Sequence, residues 1–331
     1  MPKQATGDGS LLGMNRLAVK AAVGFITLLV CFSLVARHFN VAIQPATGIS
    51  VALLLAPYWA FGFGFDAWLR NHLRGKFVKA FAPLLLVVAY LVFALPGGQF
   101  QWGQCLGMAA VVLAVTLLLQ HANSSSKAIP DWHDWLVLAL LGIPVDLHFF
   151  DQAWPIAGLS GMAKLLFVDA GLYGYLVIRP ISGVGFDFRV KRSDMRIGLR
   201  EFLYFTPIAI LLGFSLQFLH FHRTPGNPLA FAAGWLFTLF FVAMPEELFF
   251  RGLMLNMLER RAGANRALAI TSLAFGLAHF NKRAAYFNWR YVILAAIAGV
   301  FYGRAWLARR RLIASSITHA TVDTVWSIWL R

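Results

Sequence analysis

The stretch VAMPEELFFRGLML, Val242 to Leu255, places Glu246, Glu247 and Arg251 in a run that is otherwise almost wholly apolar. Two later apolar runs carry ionisable groups of their own: His279 in FGLAHF, and His319 with Asp323 in THATVDTVW. An ionisable side chain deep in a membrane helix is costly and as a rule marks a function. Carboxylates and imidazoles together offer three chemistries: acid–base work on a water molecule, ligation of a metal such as zinc, and relay of protons across a bundle.

Spacing narrows the geometry. Glu247 and Arg251 stand at i and i+4, which predicts an ion pair within one helix; His319 and Asp323 share a face in the same way. Adjacent residues point about 100° apart, so Glu246 is left to face the other helices. Pro245 cannot donate to the carbonyl of Phe241, which predicts a kink and an opening there. Counting from Glu259, Arg266 and Arg311 at the inner helix ends, with about 1.5 Å of rise per residue, puts Glu246 and His279 roughly 20 Å deep, Asp323 about 18 Å and His319 about 12 Å. Three helices therefore offer polar groups at similar depth.

These residues resemble a known family. EELFFR at 246–251 matches EExxxR, FGLAH at 275–279 matches FxxxH, and HATVD at 319–323 matches HxxxN/D of the CAAX protease and bacteriocin-processing (CPBP, or Abi) family of glutamic-type intramembrane endopeptidases. The resemblance covers roughly residues 201–331. It implies a hydrolase without metal or cofactor, acting on a membrane-associated or lipidated protein. In that scheme Glu246, helped by His279, activates a water, His319 and the residue at 323 stabilise the oxyanion, and Glu247 and Arg251 support them. Asp323 departs from the pattern, since many members carry Asn there. Protonated, it donates to the oxyanion; ionised, it orients His319, and the i, i+4 spacing favours the second role.

Two other classes of function use the same residues. Two histidines and two carboxylates are good zinc ligands, although no HExxH is present. A proton-coupled transporter would use them as a relay, but the two halves of the chain do not repeat each other as transporter halves usually do. A family member that acts by binding alone, as an immunity factor, is a further reading, and the presence of every motif residue weighs against it.

The elements that must hold these residues are membrane helices. Of 331 residues, 59% are hydrophobic and 13% charged, and the mean hydropathy is +0.67, whereas soluble domains are about half apolar and a quarter charged. The composition predicts an all-α, polytopic transmembrane helical bundle of about ten or eleven membrane helices. They are read at 17–36, 46–65, 77–95, 106–120, 135–150, 155–178, 201–221, 231–258, 264–280, 291–308 and 312–330.

The net charge of +15 sits in clusters between apolar runs, not along one face, so it does not describe a nucleic-acid surface. The densest clusters, Arg70 to Lys79, Arg189 to Arg200, Arg260 to Arg266 and Arg309 to Arg311, predict cytoplasmic loops, a cytoplasmic N-terminus and a place in a plasma or bacterial inner membrane. Lys282, Arg283 and Arg290 fall on the other side.

The polar interruption VIRPISGVGFDFRVKRSDMRIGLREF divides the chain. Membrane helices of unassigned role occupy 1–180, a basic cytoplasmic linker 181–200, and the catalytic-like helical core 201–331. Within the interruption Gly183 to Gly185 reads as a turn, and Ser193, Asp194 and Met195 as a helix start. Lys164 and Asp169 in the sixth span are expected to snorkel, pair or line the bundle interior, with a polar path as the functional alternative. Cys31 and Cys105 make neither a disulfide framework nor a metal knuckle.

Overall fold

A computed structural model describes residues 17–30, 33, 44–122, 129–156, 161–222, 227–282 and 286–330. The last part of the expected first span, Cys31 and Arg283 lie outside them. The described residues are mainly helical, with no strand among them. In chain order the helices are α1 (Leu17–Val30), α2 (Pro45–Gly62), α3 (Phe65–His72), α4 (Lys76–Ala94), α5 (Trp102–His121), α6 (Trp132–Asp146), α7 (Met162–Tyr173), α8 (Arg192–Ser215), α9 (Pro228–Ala262), α10 (Ala264–Leu277), α11 (Trp289–Arg309) and α12 (Leu312–Val325). Six of them, α2, α4, α5, α8, α9 and α11, are long and apolar enough to cross a bilayer, and α1 is a shorter apolar helix.

The chain divides into two compact units, one of Met1–Ala122 with Ala139–Pro180, the other of Asn123–Leu138 with Ile181–Arg331. In the first, α2 packs on α7 and on the last turns of α4. Trp154 is fully buried and its indole N–H donates to Ser50 Oγ at 3.1 Å. Asp169 is fully buried and neither carboxylate oxygen has a hydrogen-bond partner.

In the second unit, the helix start expected at Ser193 to Met195 is present: α8 runs from Arg192 without a break into the apolar run expected from 201, so the stretch 181–200 is helical from Arg192 onward. Asp194 supplies the reason. Its carboxylate accepts the Lys191 backbone N–H at 2.8 Å, which caps the helix, and the Arg311 guanidinium at 3.0 Å, which ties it to the start of α12. Arg311 also reaches Asp187 at 2.9 Å. Burial pushes the Asp187 carboxyl up, but its bonds to Arg189 and Arg311 prevail and hold it below the ordinary carboxylate range.

The Gly183–Gly185 turn forms, with φ of 78° and 77° at the two glycines. The Gly185 carbonyl accepts the Leu312 N–H at 3.0 Å, and a Cβ at this position would overlap the Arg310 carbonyl, so only glycine fits. Gly276 serves a different purpose: a Cβ there would stand 2.5 Å from the Val292 carbonyl, and its absence lets α10 lie directly against α11.

The long helix α9 does not break at Pro245. It widens instead into π turns at Thr238–Ala243 and Leu248–Leu255, which flank the four residues Met244–Glu247. A π turn bonds i to i+5, which accommodates the missing proline donor without ending the helix. Phe205, Phe250, Phe275, Ala295, Ala298, Phe301 and Tyr302, from α8 to α11, form the core beside these turns.

Candidate active site

Glu247 is the fixed point of the site. It is fully buried and accepts three side-chain donors: Arg251 at 3.0 Å, His319 Nδ1 at 2.9 Å, and the Ser315 hydroxyl. Arg251, 1% exposed, also donates to the Gly299 carbonyl at 3.0 Å and lies over the Phe275 ring at 4.5 Å. The i, i+4 ion pair expected from sequence is therefore present. It is tied to α11 through Gly299 and to α12 through Ser315 and His319. A buried charge pair is stable only when most of its remaining donors and lone pairs are filled; these bonds fill those of Glu247 and of both terminal Arg251 nitrogens, leaving Arg251 Nε without a hydrogen-bond partner.

His319, 2% exposed, is held on three sides. Its ring stacks on Tyr302 at 4.5 Å between centroids and meets the edge of Phe275 at 5.6 Å. Because Nδ1 points at a carboxylate, which accepts, the Nδ1 proton is directed to Glu247. The other nitrogen, Nε2, stands 3.8 Å from Glu246 Oε2 and 3.4 Å from Asp323 Oδ2. The roughly 100° between adjacent glutamates does not turn Glu246 away from the partner of Glu247. The imidazole spans the gap, since its two nitrogens lie on different sides of the ring. Orientation of His319 thus comes through Nδ1 from Glu247, while Asp323 meets the nitrogen that faces Glu246.

His279 reaches the site from the end of α10. Its Nδ1 donates to the Phe275 carbonyl at 2.7 Å, a contact that fixes the tautomer because a carbonyl only accepts; Nε2 of the neutral ring is then an acceptor. The ring packs against Tyr291 and Phe275, each at 4.8 Å. His279, His319 and Asp323 line a pocket between α8, α10, α11 and α12 that encloses about 750 Å³ of empty space, its mouth included. The rest of its wall is mainly apolar and aromatic, with Phe202, Phe205, Phe218 and Trp326 among the larger side chains. Glu246 is partly open, its side chain 24% exposed.

Each sequence-derived site residue therefore falls in one cluster of α9, α10 and α12. Ser315 was not singled out from the sequence, although it stands four residues before His319 as Asp323 stands four after, on one face of α12. Its hydroxyl also contacts the Tyr302 carbonyl at 2.8 Å. Ser315→Ala is expected to lower stability by about 1.5–3 kcal/mol, the worth of a hydrogen bond to a charged group, in thermal unfolding of the detergent-solubilised protein. Among the described residues, no three His, Cys, Asp or Glu side chains are grouped as a metal ion requires.

Residues 228–325, which contain every one of these groups, match the family model described as type II CAAX prenyl endopeptidase Rce1-like. No curated protein and no solved structure matches the chain. The match agrees with the motifs and with the apolar helices that carry them. Residues 228–325 of this integral membrane protein are thus similar to the Rce1-like type II CAAX prenyl endopeptidases.

Proposed function

We propose that the chain is a glutamic-type intramembrane endopeptidase that cuts a peptide bond of a membrane-associated or lipidated protein, with catalysis carried by 201–331. The observation that supports it best is the placing of the Glu246 and Asp323 carboxylates within 3.8 Å of His319 Nε2, beside a largely apolar pocket. Glu246 takes a proton from water, with the His279 Nε2 lone pair as a second acceptor, and the hydroxide adds to the peptide carbonyl carbon. The carbonyl oxygen becomes an oxyanion and receives a hydrogen bond from His319 Nε2–H. Collapse breaks the C–N bond, and the leaving amine takes the proton held by Glu246.

With Nδ1–H committed to Glu247, His319 donates from Nε2 only as the imidazolium, and the three carboxylates around it supply the counter-charge. Asp323 therefore acts by holding that form of His319, not as a donor itself. Asp323→Asn is expected to keep cleavage within about tenfold, short of the 10²–10³-fold loss that removal of an oxyanion donor brings. Metal takes no part in this scheme, so cleavage persists after chelator treatment, and loss that zinc restores would replace it with a zinc protease.

The basic clusters support an N-terminus on the cytoplasmic side of a plasma or bacterial inner membrane. The substrate is found by comparing protein termini in membranes that carry the parent chain or Glu246→Gln. Termini that arise only with the parent support the peptidase. Identical termini together with a changed solute gradient favour a transporter.

A further inference from the structure

One face of α8 changes character partway along. Arg192, Arg196 and Arg200, at i, i+4 and i+8, are exposed, and the same face continues as Leu203, Leu211 and Phe214, which are 65%, 69% and 44% exposed. An exposed apolar stripe on a membrane helix faces acyl chains, so the change from arginine to leucine lies at headgroup level. At that level sits Glu201, 0% exposed, which takes two hydrogen bonds from Arg200 at 3.1 and 2.8 Å and one from Arg304 of α11 at 2.9 Å.

General attraction of loops to the membrane surface does not need a buried anchor. Here one fully buried carboxylate fixes two guanidiniums side by side while leaving them 47% and 48% exposed. Each has five N–H donors, and Glu201 uses two of one and one of the other. The three groups keep a charge of +1, and Arg196 one turn away adds another. Arg304 is steadied further by Phe301 and Tyr204, at 5.6 and 6.0 Å from its guanidinium carbon.

We propose that Arg196, Arg200 and Arg304 form a binding site for the phosphate of an anionic phospholipid, whose acyl chain lies along Leu203, Leu211 and Phe214. The occupant is a lipid because the cationic patch runs without a break into the lipid-facing stripe. A soluble anion would use only the first half of this surface.

The test is native mass spectrometry of the full chain in a non-ionic detergent, titrated with equal amounts of phosphatidylglycerol and phosphatidylcholine. Phosphatidylglycerol is expected to be retained at least about tenfold more. Arg304→Gln and Arg196→Gln are each expected to reduce that preference about fivefold, the equivalent of about one surface cation, while Arg266→Gln on α10 leaves it unchanged. Arg304→Gln keeps Arg200 on Glu201; if it fails to fold, Arg196→Gln, on the helix surface, decides alone. Equal retention of the two lipids overturns the site, as does a loss in Arg266→Gln as large as in Arg196→Gln, which marks diffuse attraction only. Full displacement by millimolar inorganic phosphate overturns the lipid assignment in favour of a free-anion site.

Discussion

Glu246→Gln is expected to reduce peptide cleavage by about 10²- to 10⁴-fold, the range for loss of a positioned general base, and to leave the protein folded. The amide keeps the size of the carboxyl but cannot take a proton from water. Folding survives because the Glu246 side chain is 24% exposed, so an amide of the same shape strands no fully buried charge. Glu247→Gln differs in kind: it disturbs three buried bonds, so stability falls with activity. The measurement is cleavage of the substrate found by terminus comparison, in vesicles, beside thermal unfolding of the same samples. Full activity in Glu246→Gln would remove the base from the mechanism.

Arg251→Met should destabilise the second unit by about 3–5 kcal/mol, because it strands a buried carboxylate. Glu247 would keep Ser315 and His319 but lose the cation beside it, in a setting where Glu247 is 0% and Arg251 1% exposed. The double change Arg251→Met with Glu247→Gln removes the stranded charge and is expected to recover part of the loss. That non-additive recovery separates electrostatics from simple loss of packing over Phe275. Chemical unfolding in mixed micelles reads both variants. A neutral Arg251→Met, or strictly additive losses, would show that the pair does not carry this energy.

Much of this protein is legible along the chain because its strongest signals are local. A helix in lipid must satisfy its backbone internally, so long apolar runs can only be helices, and their composition announces them. The Glu247–Arg251 pair depends on spacing within one helix, and so does the capping turn at Asp194. Other local features escaped because they alter the period itself. The π turns around Met244–Glu247 change the number of residues per turn, and a reading based on 3.6 residues has no means of seeing that. The start of α8 was legible at Ser193 to Met195, but its basic first turns resemble a linker in composition, so their continuity with the apolar run from 201 onward came only from the structure, where Asp194 and Arg311 hold them helical.

By itself the sequence determined an all-helical membrane protein and the helices that carry ionisable groups. Only the tertiary structure decided which groups meet: that Nδ1 of His319 belongs to Glu247, 72 residues away, that Ser315 and the Gly299 carbonyl complete the buried cluster, and that two arginines from α8 and α11 share Glu201. The physical reason is that a helix and the groups it carries follow from the residues along one stretch of chain, whereas the rotation of a helix about its axis is set by how its side chains interlock with its neighbours.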